Sequence, residues 1–446
     1  MNSLGASVVT VLIGIVLFAP KGWALVGMMA GVLYLTEQQA IAVLGLNVTA
    51  IRLLEVIGIT RVMVRREFSI SNVNGIDRAV LMFYGYTTLV FLMRSSVGQA
   101  ETVGSMVDAT FCYFTFRGLI RNIDELKWFL RVFVIVLGPY VALLSVEMLT
   151  RENPFGLLGA RTWNFELRSG RIRCMGSFRH PALLGTLGAS LLPLYIGLVL
   201  TKHNRIRALG GISLCLGVVF LSNSGGPLSG AAMGVVGWLF WIARTKMFVV
   251  RRILVGAFVL LALVMKAPIW YLPARVSLLS GGGGWHRSYL LDMAFQNLSL
   301  WWFAGMDIDE TKGWFVYALE ATGAADITNN YLAFGFKAGM LAIVLFIVLL
   351  IRAFRALGQG LAVVRHTVPT PMENECLLWG LGCALLVHIV TWFGITYFDQ
   401  IYVVWFMHLA AIACISQACG EGNGKPQGMV WERQVHKREL RGVVKQ

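Results

Sequence analysis

The chain has 446 residues, of which 57% are hydrophobic and 14% are charged, and its mean hydropathy is +0.69. This composition is more apolar than the surface of a soluble globular protein tolerates, so most classes of soluble enzyme are excluded. At about 20 residues per membrane span, the apolar residues suffice for roughly a dozen helices and leave no room for a sizeable soluble domain. The 38 Lys and Arg residues outnumber the 23 Asp and Glu residues, for a net charge of +15. In a membrane protein the positive-inside rule accounts for such an excess, so we expect no nucleic-acid partner.

Thirteen apolar segments follow one another along the chain, and because several are short they predict 11 to 13 transmembrane helices. The expected fold class is an all-α, polytopic transmembrane helical bundle in which residues 1–446 form a single integral-membrane domain. The first segment lacks a basic region before it and a cleavage site after it, so it is predicted to be a retained span. The segments lie near residues 3–19, 23–35, 41–60, 79–93, 103–116, 128–149, 181–200, 208–221, 231–243, 253–267, 331–351, 377–396 and 401–418.

Basic residues occur at every second break between these segments, and the six clusters together hold 24 of the 38 Lys and Arg residues. The positive-inside rule assigns these breaks, with the basic tail at 419–446, to the cytoplasmic face. The alternate breaks are then on the outer face. Most of them are short, but two are long, at about 150–180 and 268–330. Almost all the mass outside the membrane therefore belongs to two outer loops.

The first outer loop carries six arginines in under 30 residues, on the face where arginine should be scarce. A guanidinium stays charged and grips phosphate oxygens with a planar fork, so this cluster favours an anionic ligand. A solvated loop, or contact with lipid phosphates, is the alternative. A ligand is favoured most for Arg173 and Arg179, which lead directly into a helix. The six residues are Arg151, Arg161, Arg168, Arg171, Arg173 and Arg179.

The second outer loop contains four consecutive glycines, Gly281 to Gly284, followed by an irregular amphipathic pattern. The glycines cannot hold a helix, and the following 15 residues predict a short interfacial helix. Arg287 lies in its first turn, where free backbone N–H groups and the helix dipole favour anions. A snorkelling side chain at the membrane surface is the alternative for this arginine.

Several polar residues lie inside or beside apolar segments. Arg52 and Glu55 are three residues apart on one predicted helix and are expected to pair with each other. His388 and His408 are interpreted as satisfied core histidines. The small residues of 222–230, SNSGGPLSG, form an outer turn that would let a ligand approach the backbone closely.

Motifs for nucleotide or metal chemistry are absent from the sequence: it has no GxxxxGK[ST], no HExxH, and no D-x-D pair in the first outer loop. The seven cysteines form neither an even set nor a cluster at metal-ligand spacing. We therefore expect neither a metal nor a soluble cofactor.

Four stretches, in this order and spacing, resemble the bacterial O-antigen ligase and O-antigen or exopolysaccharide polymerase family. The first is R-x-x-G-x-F-x-x-P from Arg173 to Pro181, with Ala182 where the family usually has Asn. The second is WHRSYLLDMAFQNLSLWWFAG, with Arg287 at the family's arginine position and Gly305 at its glycine position. TNNYLAFGFKAGMLA and the aromatic turn WFGITYFDQ complete the resemblance, which covers most of the chain.

The resemblance implies a glycan donor carried on undecaprenyl diphosphate, whose leaving group is neutralised by Arg173 and Arg287. Thr328 stands where the ligases have a histidine, and a threonine cannot act as a general base near neutral pH, so Asp326 becomes the candidate base. The implied catalytic residues are thus Arg173, Arg287 and Asp326. The candidate substrate-binding residues are Arg179, His180, His286, Thr328, Asn329, Asn330 and Tyr331.

The expected function is a metal-independent membrane glycosyltransferase in the bacterial inner membrane, with its active site facing the periplasm. Polymerisation is the first choice, and ligation to lipid A-core is the nearest alternative. A transporter or flippase of a lipid-linked or anionic solute, and a structural partner in an export complex, are alternatives from other classes. The expected partners are the lipid-linked donor, a glycan or lipid A-core acceptor, membrane lipids and other polysaccharide assembly proteins.

If Arg173 and Arg287 share one diphosphate, the two long loops must meet. Their guanidinium groups should then lie on the order of 10 Å apart or less.

Overall fold

The computed structural model describes residues 1–43, 46–160, 167–168, 170–200, 205–271, 284–315, 324–366 and 372–422. Arg161, the first three glycines of the 281–284 run and the tail from residue 423 onward lie outside the described residues. The helices are α1 Ser3–Phe18, α2 Lys21–Tyr34, α3 Ala50–Val64, α4 Gly75–Arg94, α5 Gln99–Leu119, α6 Ile123–Thr150, α7 Pro181–Val199, α8 Arg205–Ser222, α9 Gly225–Leu239, α10 Met247–Val264, α11 Gly284–Gln296, α12 Leu298–Trp301, α13 Asn330–His366, α14 Met372–Thr391 and α15 Ile401–Gly422.

Two short antiparallel hairpins and five 3₁₀ segments complete the described structure. In the first hairpin, β1 (Ala40–Val43) pairs with β2 (Leu46–Thr49), and Ala40 lies opposite Thr49. In the second, β3 (Leu167–Arg168) pairs with β4 (Arg171–Ile172), and Arg168 lies opposite Arg171. The 3₁₀ segments are Ile70–Asn72, Pro154–Leu158, Phe240–Lys246, Ile269–Tyr271 and Ile308–Thr311.

Within the described residues, 8 helices are long and apolar enough to cross a membrane, and α1 is a shorter apolar helix. The predicted all-α, multi-pass membrane fold is confirmed. The predicted helix at 41–60 is wrong over its first part, because the chain there forms the β1–β2 hairpin. The helix α3 starts only at Ala50. Thr49 is its N-cap residue, and the Thr49 hydroxyl accepts the Arg52 N–H.

The helix that follows the first long loop, α7, lies at the centre of the bundle, and 89% of its apolar residue stretch is buried. It packs against α8, α9 and α14. Small residues allow this close packing: a β-carbon on Gly188 would lie 2.5 Å from the Cys215 carbonyl oxygen, and one on Gly380 would lie 2.8 Å from that of Pro193. Glycines at such contacts let helix backbones approach closely inside a membrane.

The helix ends divide between two faces of the bundle. We call the face that carries the described parts of 151–180 and 265–329 the loop face. The start of α1 lies there too, because Asn2 Nδ2 donates to the Leu157 carbonyl oxygen at 2.7 Å. The end of α4 does as well, since Arg94 pairs with Asp307 at 2.9 Å.

On the opposite face a buried charge network joins three helices. Arg117 of α5 donates from Nε to Asp77 Oδ1 at 2.8 Å and from Nη2 to Asp77 Oδ2 at 2.9 Å. Tyr113 donates to the same carboxylate at 2.5 Å, and Arg117 also reaches Gln417 of α15 at 3.0 Å. Arg117 and Asp77 are both buried. This network therefore ties α4, α5 and α15 together.

Replacing Arg117 with alanine should leave the Asp77 carboxylate buried and unpaired. Such a loss costs about 3–5 kcal/mol. We expect a clear fall in the thermal unfolding midpoint of the detergent-purified protein. Arg355→Ala is the control, because Arg355 is exposed; equal midpoints for the two variants would show that the network contributes little.

Candidate functional site

The chain just before α7 is held by a carboxylate at the end of α6. Glu147 accepts the backbone N–H groups of Met175 and Gly176, each at 2.9 Å. Gly176 has a φ of +56°, a left-handed conformation that favours glycine. Asn153 Nδ2 donates to the Gly176 carbonyl oxygen at 2.8 Å. These contacts fix the turn at Met175 and Gly176, and the turn in turn fixes the position of Arg173 just before it.

The first turn of α9 faces this segment. Ser224 occupies the N-cap position, but its side chain makes no capping hydrogen bond. Its Oγ instead accepts from Arg173 Nη2 at 3.4 Å. The preceding Asn223 donates from Nδ2 to the carbonyl oxygens of Arg168 at 3.0 Å and Arg171 at 3.4 Å, which holds the β3–β4 hairpin beside the helix start.

Arg287, in the first turn of α11, reaches the same place from the second loop. A β-carbon on Gly394 would lie 2.9 Å from Cζ of Arg287, closer than a real contact, so the guanidinium rests directly on this glycine. A β-carbon on Gly226, in the first turn of α9, would lie 3.8 Å from Arg287 Nη2. The two long loops therefore meet at the start of α9.

Positive charge accumulates at this meeting point. The pKa of Arg287 is lowered, first by burial and then by the charges of Arg168 and Arg173. Among the described residues, no hydrogen bond or ion pair reaches the Arg287 guanidinium. Arginine nevertheless stays charged at working pH. We call Arg168, Arg173 and Arg287 the arginine cluster; with the start of α9 it forms a site suited to an anion.

Searches of family models, curated proteins and solved structures find no match to the chain.

The start of α13 packs against the turn that carries Gly394. Asn330 N–H donates to the Trp392 carbonyl oxygen at 2.9 Å, and Asn330 Oδ1 accepts the Tyr397 N–H at 3.2 Å. Tyr331 donates its hydroxyl to the Ile389 carbonyl oxygen at 3.2 Å. Of the candidate substrate-binding residues, these two are thus held against the end of α14.

Two neighbouring polar groups are buried without a partner. Asn329 caps α13 by accepting the N–H groups of Tyr331 and Leu332 at 3.0 and 3.1 Å, but its Nδ2 is buried and unbonded. The Thr328 hydroxyl is likewise buried and unbonded. Buried polar groups usually have partners, so these two atoms are exceptions among the described residues next to the start of α13.

The candidate base lies beside the first turn of α11. His286 Nε2 is 3.2 Å from the Asp326 carbonyl oxygen, and the His286 ring stacks on Phe315 at 4.7 Å. Asp326 itself is exposed. This contact connects the segment before α13 to the residue preceding Arg287. The role of Asp326 as a base stays a prediction.

Arg179 and His180 have different surroundings from the arginine cluster. Arg179 Nη1 pairs with Glu37 at 2.8 Å, and Arg179 is not among the charges that act on Arg287. His180 Nδ1 accepts the Ala182 N–H and so caps α7. Arg179 lines a cavity of about 1420 Å³. These contacts set Arg179 apart from the arginine cluster, and its expected role in substrate binding stays a prediction.

The Arg179 N–H donates to Asp399 Oδ2 at 2.7 Å. Burial raises the pKa of Asp399 to about 6, against the opposing effect of the N–H groups of Arg179 and Gln400. Asp399 thereby connects the start of α7 to the turn before α15.

The expected pair of Arg52 with Glu55 is wrong. Arg52 instead donates to both carboxylate oxygens of Asp108 on α5, at 2.6 and 2.7 Å. Helical spacing put Arg52 and Glu55 on neighbouring positions, but packing against α5 offers a better bidentate partner. His388 is satisfied as expected, by Tyr397 at 2.6 Å and His408 at 3.0 Å, whereas Nε2 of His408 is buried without a partner.

Three parts of this site were not selected as site residues from the sequence. Arg168 was one of six loop arginines with nothing to distinguish it. Ser224 and Gly226 belong to the small-residue turn, whose signal was weak. Gly394 lies within the aromatic turn WFGITYFDQ, and only the tertiary contact with Arg287 shows why a glycine is needed there.

Gly394→Ala should displace the Arg287 guanidinium while the backbone stays in place, because the clashing atoms are the far end of a flexible side chain. Loss of a charge-assisted contact should weaken binding of inorganic pyrophosphate to the purified protein about tenfold. Gly138→Ala is the matched control, since a β-carbon there meets nothing within 4 Å. Unchanged pyrophosphate affinity in Gly394→Ala would argue against an anion site at Arg287.

Proposed function

We propose that this protein is a glycosyltransferase that moves a glycan from undecaprenyl diphosphate to a sugar hydroxyl, most simply as a polysaccharide polymerase. The observation that carries the proposal is the half-buried Arg287 guanidinium, which has no hydrogen-bond or ion-pair partner among the described residues and lies beside Arg168 and Arg173 at the start of α9. Such a site suits a diphosphate, which gains charge as it leaves the sugar. Ligation to a lipid A-core acceptor would use the same donor chemistry.

In the proposed reaction, the acceptor hydroxyl oxygen attacks the anomeric carbon while the bond from that carbon to the diphosphate oxygen breaks. The bonding electrons go to the diphosphate, where Arg173, Arg287 and the backbone N–H groups of α9 offset the new charge. The hydroxyl proton goes to Asp326. The donor is already activated, so the protein must supply only leaving-group stabilisation, orientation and a base.

The proposed orientation puts the loop face in the periplasm of a Gram-negative bacterium and the basic breaks in the cytoplasm. It is supported by the basic clusters at alternate breaks. A transporter would need its charged site near the bilayer centre. The arginine cluster instead lies beside helix ends, Ser224 before α9 and Gly394 after α14, which favours an enzyme at the membrane boundary.

The test of the function is to incubate the purified protein in detergent with lipid-linked repeat units and to separate the products on a gel. A ladder of products would establish a polymerase. A single shifted band that requires added lipid A-core would establish a ligase. No product with either acceptor contradicts the proposal.

Arg287→Lys keeps a positive charge but loses the planar fork. We expect the rate of glycan transfer to fall about 100-fold, as for loss of one donor to a developing anion, with normal membrane insertion. The control is Arg171→Lys in the first loop, because the Arg171 guanidinium lies 4.0 Å from the Phe220 ring centroid and bonds to the Phe220 carbonyl oxygen. Near-full activity of Arg287→Lys would return this side chain to the snorkelling interpretation.

Asp326→Asn should lower turnover by about 10²–10⁴-fold if Asp326 is the general base. Binding of undecaprenyl diphosphate, measured separately, should persist because it depends on the arginines. Asp309→Asn serves as the control, since Asp309 is exposed and pairs only with Lys312 in the described structure. A rate within about threefold of wild type would exclude this base, and leaving-group stabilisation would then carry the reaction.

A further inference from the structure

A cavity of about 1420 Å³ lies between α3, α4, α5, α13 and α15, next to the β1–β2 hairpin. Pockets for drug-sized ligands measure about 300–1,000 Å³, so this cavity has room for a larger molecule. The hairpin and residues 396–400 line it, which puts it on the loop face. None of the arginine cluster lines it.

The charge of this cavity differs from that of the arginine cluster. Its lining has three basic and four acidic side chains. Four of these seven form ion pairs within the lining: Arg52 with Asp108 at 2.6 Å and Arg179 with Glu37 at 2.8 Å. The lining is therefore nearly neutral, and more than half of its charged side chains pair with each other. Such a lining offers hydrogen-bonding atoms without attracting a diphosphate.

Aromatic rings accompany these polar groups. Nine lining residues are aromatic, and Phe398 is the most accessible at 47% exposure. The Phe398 ring makes an edge contact with the His180 ring, with 6.3 Å between the ring centroids. The Arg179 guanidinium lies 5.9 Å from the Phe398 ring centroid. Tyr84, Tyr397 and Tyr402 also line the cavity and are half-buried. Flat apolar faces next to paired carboxylates and guanidinium groups match the C–H faces and hydroxyl edges of sugar rings.

We propose that this cavity binds an oligosaccharide with little or no net charge, and that Phe398 is its exposed stacking surface. On the proposed function, from which this part of the inference follows, the oligosaccharide is the acceptor glycan. The diphosphate of the donor then lies at the arginine cluster and the acceptor sugars lie in the cavity.

One turn borders both sites. Gly394 contacts the Arg287 guanidinium, and two residues later Thr396 lines the cavity. Asn330 also lines the cavity, next to the unbonded Nδ2 of Asn329. An acceptor hydroxyl at this edge of the cavity is therefore close to the donor site.

The test uses purified wild-type protein on a printed array of neutral and acidic oligosaccharides, with the strongest ligand titrated by tryptophan fluorescence. We expect binding that Phe398→Ala weakens about tenfold and that Phe398→Trp retains. Phe295→Ala is the matched control: Phe295 is 45% exposed, contacts the Trp270 ring in a tilted geometry and does not line the cavity. Thermal unfolding of each variant checks that the fold is kept.

Failure of this inference can be told from failure of the proposed function by a second probe. Undecaprenyl diphosphate without sugar should bind wild type and Phe398→Ala equally and Arg287→Lys more weakly. Absence of oligosaccharide binding by wild type, or equal binding by Phe398→Ala, overturns the saccharide cavity whatever the diphosphate result. Oligosaccharide binding that depends on Phe398, with no diphosphate binding, supports the cavity and contradicts the donor site.

Discussion

The close packing of α7 against α8, α9 and α14 determines where the candidate site lies. These contacts depend on glycines, such as Gly188 and Gly380, that let helix backbones approach within a membrane. The start of α7, the end of α8, the start of α9 and the end of α14 all lie on the loop face. Packing these helices together therefore gathers Arg173, Ser224 and Gly394 around one point, and Arg287 approaches that point from the second loop.

Two arginines inside the bundle are matched by opposite charges. Arg117 is held by Asp77, and Arg52 is held by Asp108. Removing a charge from water is costly unless it is paired, so such matching is what a stable bundle requires. Arg287 departs from this pattern. The charges that alter its pKa belong to two other arginines, Arg168 and Arg173. Departures of this kind are expected at functional sites, where a ligand supplies the missing charge.

The turn between α14 and α15 divides the loop face into two environments. On one side Gly394 supports a guanidinium, and on the other Phe398 and Asp399 border a wide cavity with balanced charges. On the proposed function, this division would place the diphosphate beside positive charge and the acceptor sugars beside stacking surfaces and hydroxyl partners.

The sequence alone determined the membrane class, the approximate helices and the excess of arginine in the first long loop, because hydropathy and charge placement are local properties of the chain. It also singled out Arg173, Arg179 and Arg287 by their positions next to predicted helix starts, and the family resemblance paired Arg173 with Arg287. Tertiary structure alone decided the partners: Arg52 pairs with Asp108, 56 residues away, instead of with Glu55, and Arg179 is neutralised by Glu37. Tertiary structure also decided the β1–β2 hairpin and the contact between Gly394 and Arg287. Each depends on which helices become neighbours, and neither periodicity nor composition carries that information.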